Sequence, residues 1–79
     1  MKTKVFCKSQ LELSKKINSL MDAYWNDQIE EKILINNIQQ LVKYNDEKLF
    51  KDNQYTKVIE QRCGKRRLEL LNKILKISL

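Results

Sequence analysis

Proline is absent from this chain of 79 residues, and glycine occurs once, at Gly64. These two residue types supply most tight turns and interrupt most helices, so a chain nearly without them favours long helices over many short strands. A chain of this length has room for a single hydrophobic core. We therefore predict one all-α domain over residues 1–79, a small bundle of three to four helices with a short extended arm from Lys2 to Cys7.

Capping signals mark the expected helix boundaries. The segment Ser9–Glu12 has the S-x-x-E pattern of a capping box, which predicts that the first helix begins there and ends near Trp25. The segment Asp27–Glu30 repeats the pattern with an aspartate as N-cap and predicts a second helix over residues 28–44. Both helices carry apolar residues at helical spacing.

The second half of the chain predicts a polar connector and two further helices. Leu49 and Phe50 are the apolar residues of the connector over residues 45–53, and we expect them to pin it to the core. A third helix is expected from Gln54 to Gly64, where the glycine suits a helix end or a tight turn, and a fourth from Lys65 to near the C-terminus. Helical periodicity predicts a core formed by Leu13, Ile17, Leu20, Tyr24, Ile33, Ile38, Leu41, Ile59, Leu71 and Leu75.

The inventory of reactive side chains argues against catalysis. Histidine is absent, which excludes imidazole bases and His-containing metal sites. Cys7 and Cys63 are the only cysteines, and two thiolates fall short of the four ligands of a structural zinc site. Acidic neighbours such as Glu30-Glu31 stand in cap positions. We predict no catalytic, cofactor-binding or metal-binding residue, and a protein that is not an enzyme.

The distribution of apolar residues and cysteines predicts a soluble protein of the cytoplasm. No apolar run approaches the roughly 20 residues that cross a bilayer. Lys8 interrupts the stretch Val5–Cys7 before the core of a signal peptide could form. Two cysteines without a disulfide framework are typical of a reducing compartment. The helical phase of Cys63 places it on the core side of its helix.

The most informative local feature is a cluster of arginines. All three arginines of the chain fall within six positions, Arg62 to Arg67, and residues 57–79 hold +5 of the net charge of +6. Guanidinium groups bind carboxylates and phosphates bidentately, which ammonium groups cannot do. We predict a partner-binding site formed by Arg62, Lys65, Arg66, Arg67 and Lys73. For Arg67 a structural role is the alternative, because it falls in the apolar sector of its helix and would pair there with an acid of the connector.

Two functions fit this site. The first is docking on a protein partner with an acidic surface, in which buried contacts provide affinity and the cations provide association rate. The alternative is a nucleic-acid-binding module that uses the corner from Arg62 to Arg67 and the C-terminal helix to contact phosphates. The apolar surface of the second and fourth helices also predicts self-association, with a homodimer as the simplest form.

Three segments carry a resemblance to a known family. They are Ala23-Tyr24-Trp25-Asn26-Asp27, Asn45-Asp46-Glu47-Lys48-Leu49-Phe50 and Cys63-Gly64-Lys65-Arg66-Arg67-Leu68-Glu69. With these segments the chain resembles, over nearly its whole length, a family of small uncharacterised proteins of about 80 residues from low-GC Gram-positive bacteria and their mobile elements. The resemblance implies no activity, cofactor or catalytic residue. The origin that it implies favours a small regulator or inhibitor of a larger machine.

Overall fold

The computed structural model describes residues 7–77, and this part of the chain is mostly helical, as predicted. The elements are α1 (Gln10–Trp25), α2 (Glu31–Tyr44), α3 (Asp46–Leu49), β1 (Phe50–Lys51), β2 (Gln54–Tyr55) and α4 (Lys57–Leu75). Helix α4 packs most extensively against α1, and α2 packs against both. Of the predicted N-terminal arm, residues 2–6 lie outside the described part of the chain.

Helix α1 begins where the capping box predicts. The Oγ of Ser9 accepts a hydrogen bond from the backbone N–H of Glu12 at 3.1 Å, and the Oε1 of Glu12 accepts one from the N–H of Lys8 at 2.7 Å. The first bond satisfies one of the N–H groups that have no partner within the helix. The Glu12 carboxylate bonds one residue earlier than in the standard box.

The boundary between α1 and α2 differs from the prediction. Asp27, expected as the N-cap of the second helix, has a left-handed φ of 59° and ends α1 instead. The N–H of Gln28 donates to the carbonyl of Ala23, and the N–H of Asp27 donates to that of Tyr24. These two bonds define a Schellman motif, which aspartate tolerates better than most residues. Helix α2 therefore begins three residues later than expected, at Glu31.

The connector contains a short hairpin that the sequence interpretation missed. Phe50 pairs with Tyr55 and Lys51 with Gln54, so that Asp52 and Asn53 form a two-residue turn. Both turn residues have positive φ, 54° and 64°, as a type I′ hairpin turn requires. The predicted start of the third helix at Gln54 is therefore wrong. The chain is in the strand β2 there, and helical structure begins at Lys57.

A buried asparagine joins the connector to the N-terminal segment. Asn45 is 2% exposed, and its Oδ1 accepts a hydrogen bond from the N–H of Cys7 at 2.8 Å. Its Nδ2 donates to the carbonyl of Leu41 at 2.7 Å, and its own carbonyl accepts the N–H groups of Lys48 and Leu49. A buried polar side chain is stable only when it is bonded in this way. Asn45 thus holds the end of α2, the start of α3 and Cys7 together.

The core confirms most of the predicted buried set. Six of the ten predicted residues are buried, namely Leu13, Ile17, Ile38, Leu41, Ile59 and Leu71. Leu20, Tyr24 and Leu75 are partly buried against the core. Leu49 is fully buried, which confirms its role as the anchor of the connector.

One member of the predicted core is wrong. Ile33 is 45% exposed, because Leu34, Ile38 and Leu41 form the core face of α2. A residue adjacent to Leu34 points about 100° away from that face. The apolar residues that surround α2 therefore do not all find a place in the core. None of the helices in the described part of the chain is long and apolar enough to cross a membrane.

Candidate functional site

Gly64 interrupts α4 and places the arginine cluster on both sides of the break. Its φ of 81° and ψ of 166° are non-helical and lie in a region that essentially only glycine occupies. A Cβ at this position would meet no atom within 4 Å, so the backbone conformation alone requires glycine. This confirms the predicted turn at Gly64 between two helical segments, residues 57–63 and 65–75.

The carbonyl groups before the break are bound by side chains. In an unbroken helix the carbonyls of Arg62 and Cys63 would accept the N–H groups four residues later. Here the carbonyl of Arg62 accepts a hydrogen bond from the Nδ2 of Asn18 at 2.9 Å, and that of Cys63 accepts one from the Nη1 of Arg67 at 3.1 Å. Helix α1 thus supplies one of the two caps. The Oδ1 of Asn18 is buried and has no hydrogen-bond partner in the part of the chain that the structure describes.

Arg67 binds Asp22 of α1. Its Nη2 lies 2.8 Å from Oδ1 and 3.0 Å from Oδ2 of the Asp22 carboxylate, and its Nε lies 3.2 Å from Oδ1. The expectation that Arg67 pairs with an acid of the connector is therefore wrong, since its partner belongs to the first helix. A pair with this much solvent contact stabilises by about 1 kcal/mol or less. The guanidinium of Arg67 is occupied in holding α4 to α1 and in capping the break.

Arg66 stacks on Trp25, the last residue of α1. The Cζ of Arg66 lies 4.2 Å from the centroid of the indole ring, within the range of a cation–π contact. Arg66 is exposed and Trp25 is half-buried. The indole restrains the guanidinium, so less conformational freedom is lost when its N–H groups bind a carboxylate or phosphate. Of the predicted site residues, Arg66 has the best preorganised donor group.

The remaining predicted residues fall on different sides of α4. Arg62, Lys65 and Lys73 are exposed, and together with Arg66 they make no ion pair with any residue that the structure describes. Lys65 lies in a groove beside the hairpin, which we call the hairpin groove and which is lined by Gln54, Tyr55, Glu60, Lys65, Leu68, Glu69 and Asn72. Two acidic residues therefore accompany Lys65.

Lys73 lies in a second groove, formed where α1, α2 and α4 meet. We call it the three-helix groove. Its apolar lining consists of Tyr24, Leu34, Ile35, Leu70 and Ile74, and its charged lining consists of Glu31 and Lys73. The cluster that is continuous in sequence is thus divided in space. Arg66 and Lys73 belong to one face of α4, Lys65 to another, and Arg67 to the contact between α1 and α4.

The thiol of Cys63 belongs to the core, as its helical phase predicts. Cys63 is 2% exposed, and burial raises the pKa of its thiol to about 11, although the nearby Arg67 cation acts in the opposite direction. Burial likewise raises the pKa of Tyr55 to about 12. The Tyr55 hydroxyl donates a hydrogen bond to the Oδ1 of Asn72, and the Tyr55 ring stacks on Phe50. A protonated, buried thiol is not a nucleophile at neutral pH.

The described residues contain no cluster of three or more Cys, Asp and Glu side chains that could hold a metal ion. Cys7 is buried like Cys63, and both are free thiols. Burial also raises the pKa of the Cys7 thiol. The surface offers ionic recognition by Arg66 and the exposed lysines, together with the half-buried ring of Trp25 on which Arg66 stacks.

Sequence interpretation missed the contribution of α1 to the site. Asn18, Asp22 and Trp25 contact the carbonyl of Arg62, the guanidinium of Arg67 and that of Arg66, respectively. Their spacing of four and three residues places them on one face of α1. That spacing was visible in the sequence. Nothing in it showed that the polar face of the first helix packs beside the last one.

The fold and the site define a small, mostly helical protein whose last helix presents cations beside the C-terminal end of its first. The chain belongs to a family described as conserved hypothetical protein, whose model matches residues 4–76. The resemblance noted from the sequence is confirmed to that extent. Searches of curated proteins and of solved structures found no match.

Proposed function

We propose that this chain is a non-catalytic binding protein, a small regulator or inhibitor that docks on a larger protein with an acidic surface. The observation that supports this proposal is the stacking of Arg66 on Trp25. A restrained guanidinium beside a large aromatic ring combines the two residue types that most often dominate protein interfaces. The exposed Arg62 and Lys73 extend the positive surface, whereas Arg67 contributes by holding α4 against α1.

The cations have different roles in this proposal, according to their position in the interface. Arg66 provides a specific contact, so its loss should raise the dissociation rate. Exposed cations at the edge of an interface mainly steer the encounter, so neutralising Lys73 should lower the association rate and its salt dependence. A binding surface of this kind needs no cofactor.

The test is co-purification from the native host with a tagged chain, performed in parallel with and without nuclease treatment. Three forms are compared, namely the wild type, Arg66→Glu and Lys57→Glu, which reverses the charge of the exposed first residue of α4. Circular dichroism establishes that all three are folded. We expect a stoichiometric protein partner with the wild type and with Lys57→Glu, and its loss with Arg66→Glu. Equal capture by all three forms, or recovery of nucleic acid alone, would contradict the proposal.

Nucleic-acid binding is the second candidate, and the +5 balance of residues 57–79 favours it. It requires Lys57, Lys73 and Lys76 to extend the contacts of Lys65 and the arginines along the backbone of the nucleic acid. The logarithm of the binding constant should then fall linearly with that of the salt concentration, and removal of one phosphate contact should reduce the slope by about one. In this case Lys57→Glu should weaken binding to DNA or RNA, and heparin should bind less tightly than either. Equal binding to all three polyanions would mean that the positive charge of the chain attracts any polyanion, without preference for nucleic acid.

We also propose a cellular compartment and an assembly state for the protein. Two buried thiols suit a reducing compartment, so we propose the cytoplasm of a low-GC Gram-positive bacterium or a mobile element within it.

For assembly we propose a homodimer, because Ile33 and Tyr44 of α2 are 45% and 52% exposed. Sedimentation at micromolar concentration should show the dimer. A monomer at those concentrations would contradict the homodimer.

A further inference from the structure

The three-helix groove lies next to the Arg66–Trp25 contact. Trp25 follows Tyr24 of the groove in α1, and Arg66 precedes Leu70 of the groove by one turn of α4. The groove encloses about 160 Å³, which is room for one apolar side chain of moderate size. Tyr24 and Leu70 are half-buried there, so part of their apolar surface is open to a partner.

The face of α4 at this groove has a regular order of charges. Arg66, Leu70 and Lys73 follow one another at spacings of four and three residues, so they share one face of the helix. With a rise of 1.5 Å per residue, Arg66 and Lys73 begin about 10 Å apart along the helix axis. A cation, an apolar residue and a second cation thus follow one another over two turns.

The opposite side of the groove carries the opposite charge. Glu31, in the first turn of α2, is exposed and lines the groove across from α4. A uniformly acidic partner would be attracted to α4 and repelled by Glu31. The groove therefore favours a partner whose acidic residues are confined to one flank.

From this arrangement we infer that the three-helix groove receives an acidic amphipathic helix of the partner protein. One apolar side chain of that helix enters the groove at Leu70. Carboxylates on the flank above α4, separated by two turns, reach Arg66 and Lys73. The flank above α2 carries a basic or neutral residue opposite Glu31. The inference rests on the proposed docking function and specifies the partner that the same surface recognises.

The probe is a synthetic helical peptide of about 18 residues, long enough to form a helix in water. It carries Glu at positions i and i+7, Leu at i+4, and Lys on the flank that would face Glu31. Trp25 is the only tryptophan of the chain, so its fluorescence reports binding at this site. We expect saturable binding of this peptide. Replacing its Leu by Ala should weaken binding about tenfold or more, because most of the apolar surface that the groove covers is then lost.

Helix α4 provides matched variants of the protein. Leu70→Ala and Lys73→Gln change the three-helix groove, whereas Leu68→Ala in the hairpin groove and Lys57→Gln at the start of α4 make the same changes away from it. We expect the first pair to weaken peptide binding and the second pair to leave it unchanged. Lys73 is exposed, so Lys73→Gln keeps the test valid if Leu70→Ala does not fold. Equal effects of the two pairs would overturn the inference.

Poly-L-glutamate separates this inference from the proposed function. If it binds as tightly as the peptide, and Arg66→Glu abolishes both, then the positive surface docks acidic partners but the groove does not select an amphipathic helix. If neither probe binds and the native host provides no protein partner, the proposed function itself is wrong. Glu31→Lys adds a direct check. It should strengthen the binding of poly-L-glutamate and weaken that of the peptide, and the opposite result would contradict the assigned orientation.

Discussion

Replacing Gly64 by alanine should lower the free energy of unfolding by about 1–2 kcal/mol, although the new methyl group has ample space. Its Cβ would meet no atom within 4 Å, so packing contributes no penalty. The backbone conformation does contribute a penalty, because φ 81° and ψ 166° cost a residue other than glycine about 1–3 kcal/mol. Alanine also lowers the conformational entropy of the unfolded chain, which stabilises the folded state by about 0.4–1 kcal/mol. Taken at the middle of each range, the two terms differ by about 1.3 kcal/mol, which lies within the predicted loss.

The measurement is urea unfolding followed by circular dichroism at 222 nm. We expect a lower midpoint with an unchanged slope, and a melting temperature lower by about 4–8 °C for each kcal/mol lost. The variant can avoid the strain only if α4 becomes a continuous helix. That change would separate Arg67 from Asp22 and Arg66 from Trp25, and the near-ultraviolet spectrum of Trp25 would change.

Two further variants test whether the backbone conformation at Gly64 causes the loss of stability. Gly64→Asn should be no more stable than Gly64→Ala, because asparagine tolerates the left-handed helical region but not a ψ of 166°. Gln61→Ala, at an exposed position of α4, should change stability by less than about 0.5 kcal/mol. A Gly64→Ala protein that is as stable as the wild type and has the same near-ultraviolet spectrum would show that the backbone at Gly64 does not require glycine.

Three other predictions follow from the structure. Asn45→Ala should destabilise by about 2–3 kcal/mol in calorimetry, because the buried N–H of Cys7 loses its acceptor; a loss below about 0.5 kcal/mol would mean that water replaces the side chain. Lys76→Gly should stabilise by about 1 kcal/mol in urea unfolding, because Lys76 ends α4 with a left-handed φ of 59°; no gain would show that this conformation is absent in solution. The contribution of the Cys63 thiol to stability should be constant below pH 9 and should be lost as the pH rises towards 11, since the unfolded chain releases the thiol proton first. Cys63→Ser should flatten that part of the pH profile, and an unchanged slope would assign it to the Cys7 thiol or to Tyr55, whose pKa values burial also raises.

Local signals in the sequence predicted the elements whose causes are local. The capping box at Ser9 begins α1, and Gly64 breaks α4, because a cap or a glycine acts within a few residues of chain. The local code was ambiguous at Asp27, which suits both an N-cap and a left-handed helix end. In the structure Asp27 has the second role. The hairpin at Asp52 and Asn53 was overlooked although both residues are typical of such turns, because four strand residues leave almost no periodic pattern.

The sequence by itself determined that the protein is helical, where its cations are concentrated, and that Cys63 belongs to the core. It could not determine which cations are available for binding. Arg66 and Arg67 are adjacent in the chain, yet one stacks on Trp25 at the surface and the other is held by Asp22. Successive helical residues point about 100° apart, so their surroundings depend on which helix packs beside each face. The neighbours of Arg66 and Arg67 are decided by the long-range contact between α1 and α4. This contact brings residues more than 40 positions apart within hydrogen-bond distance.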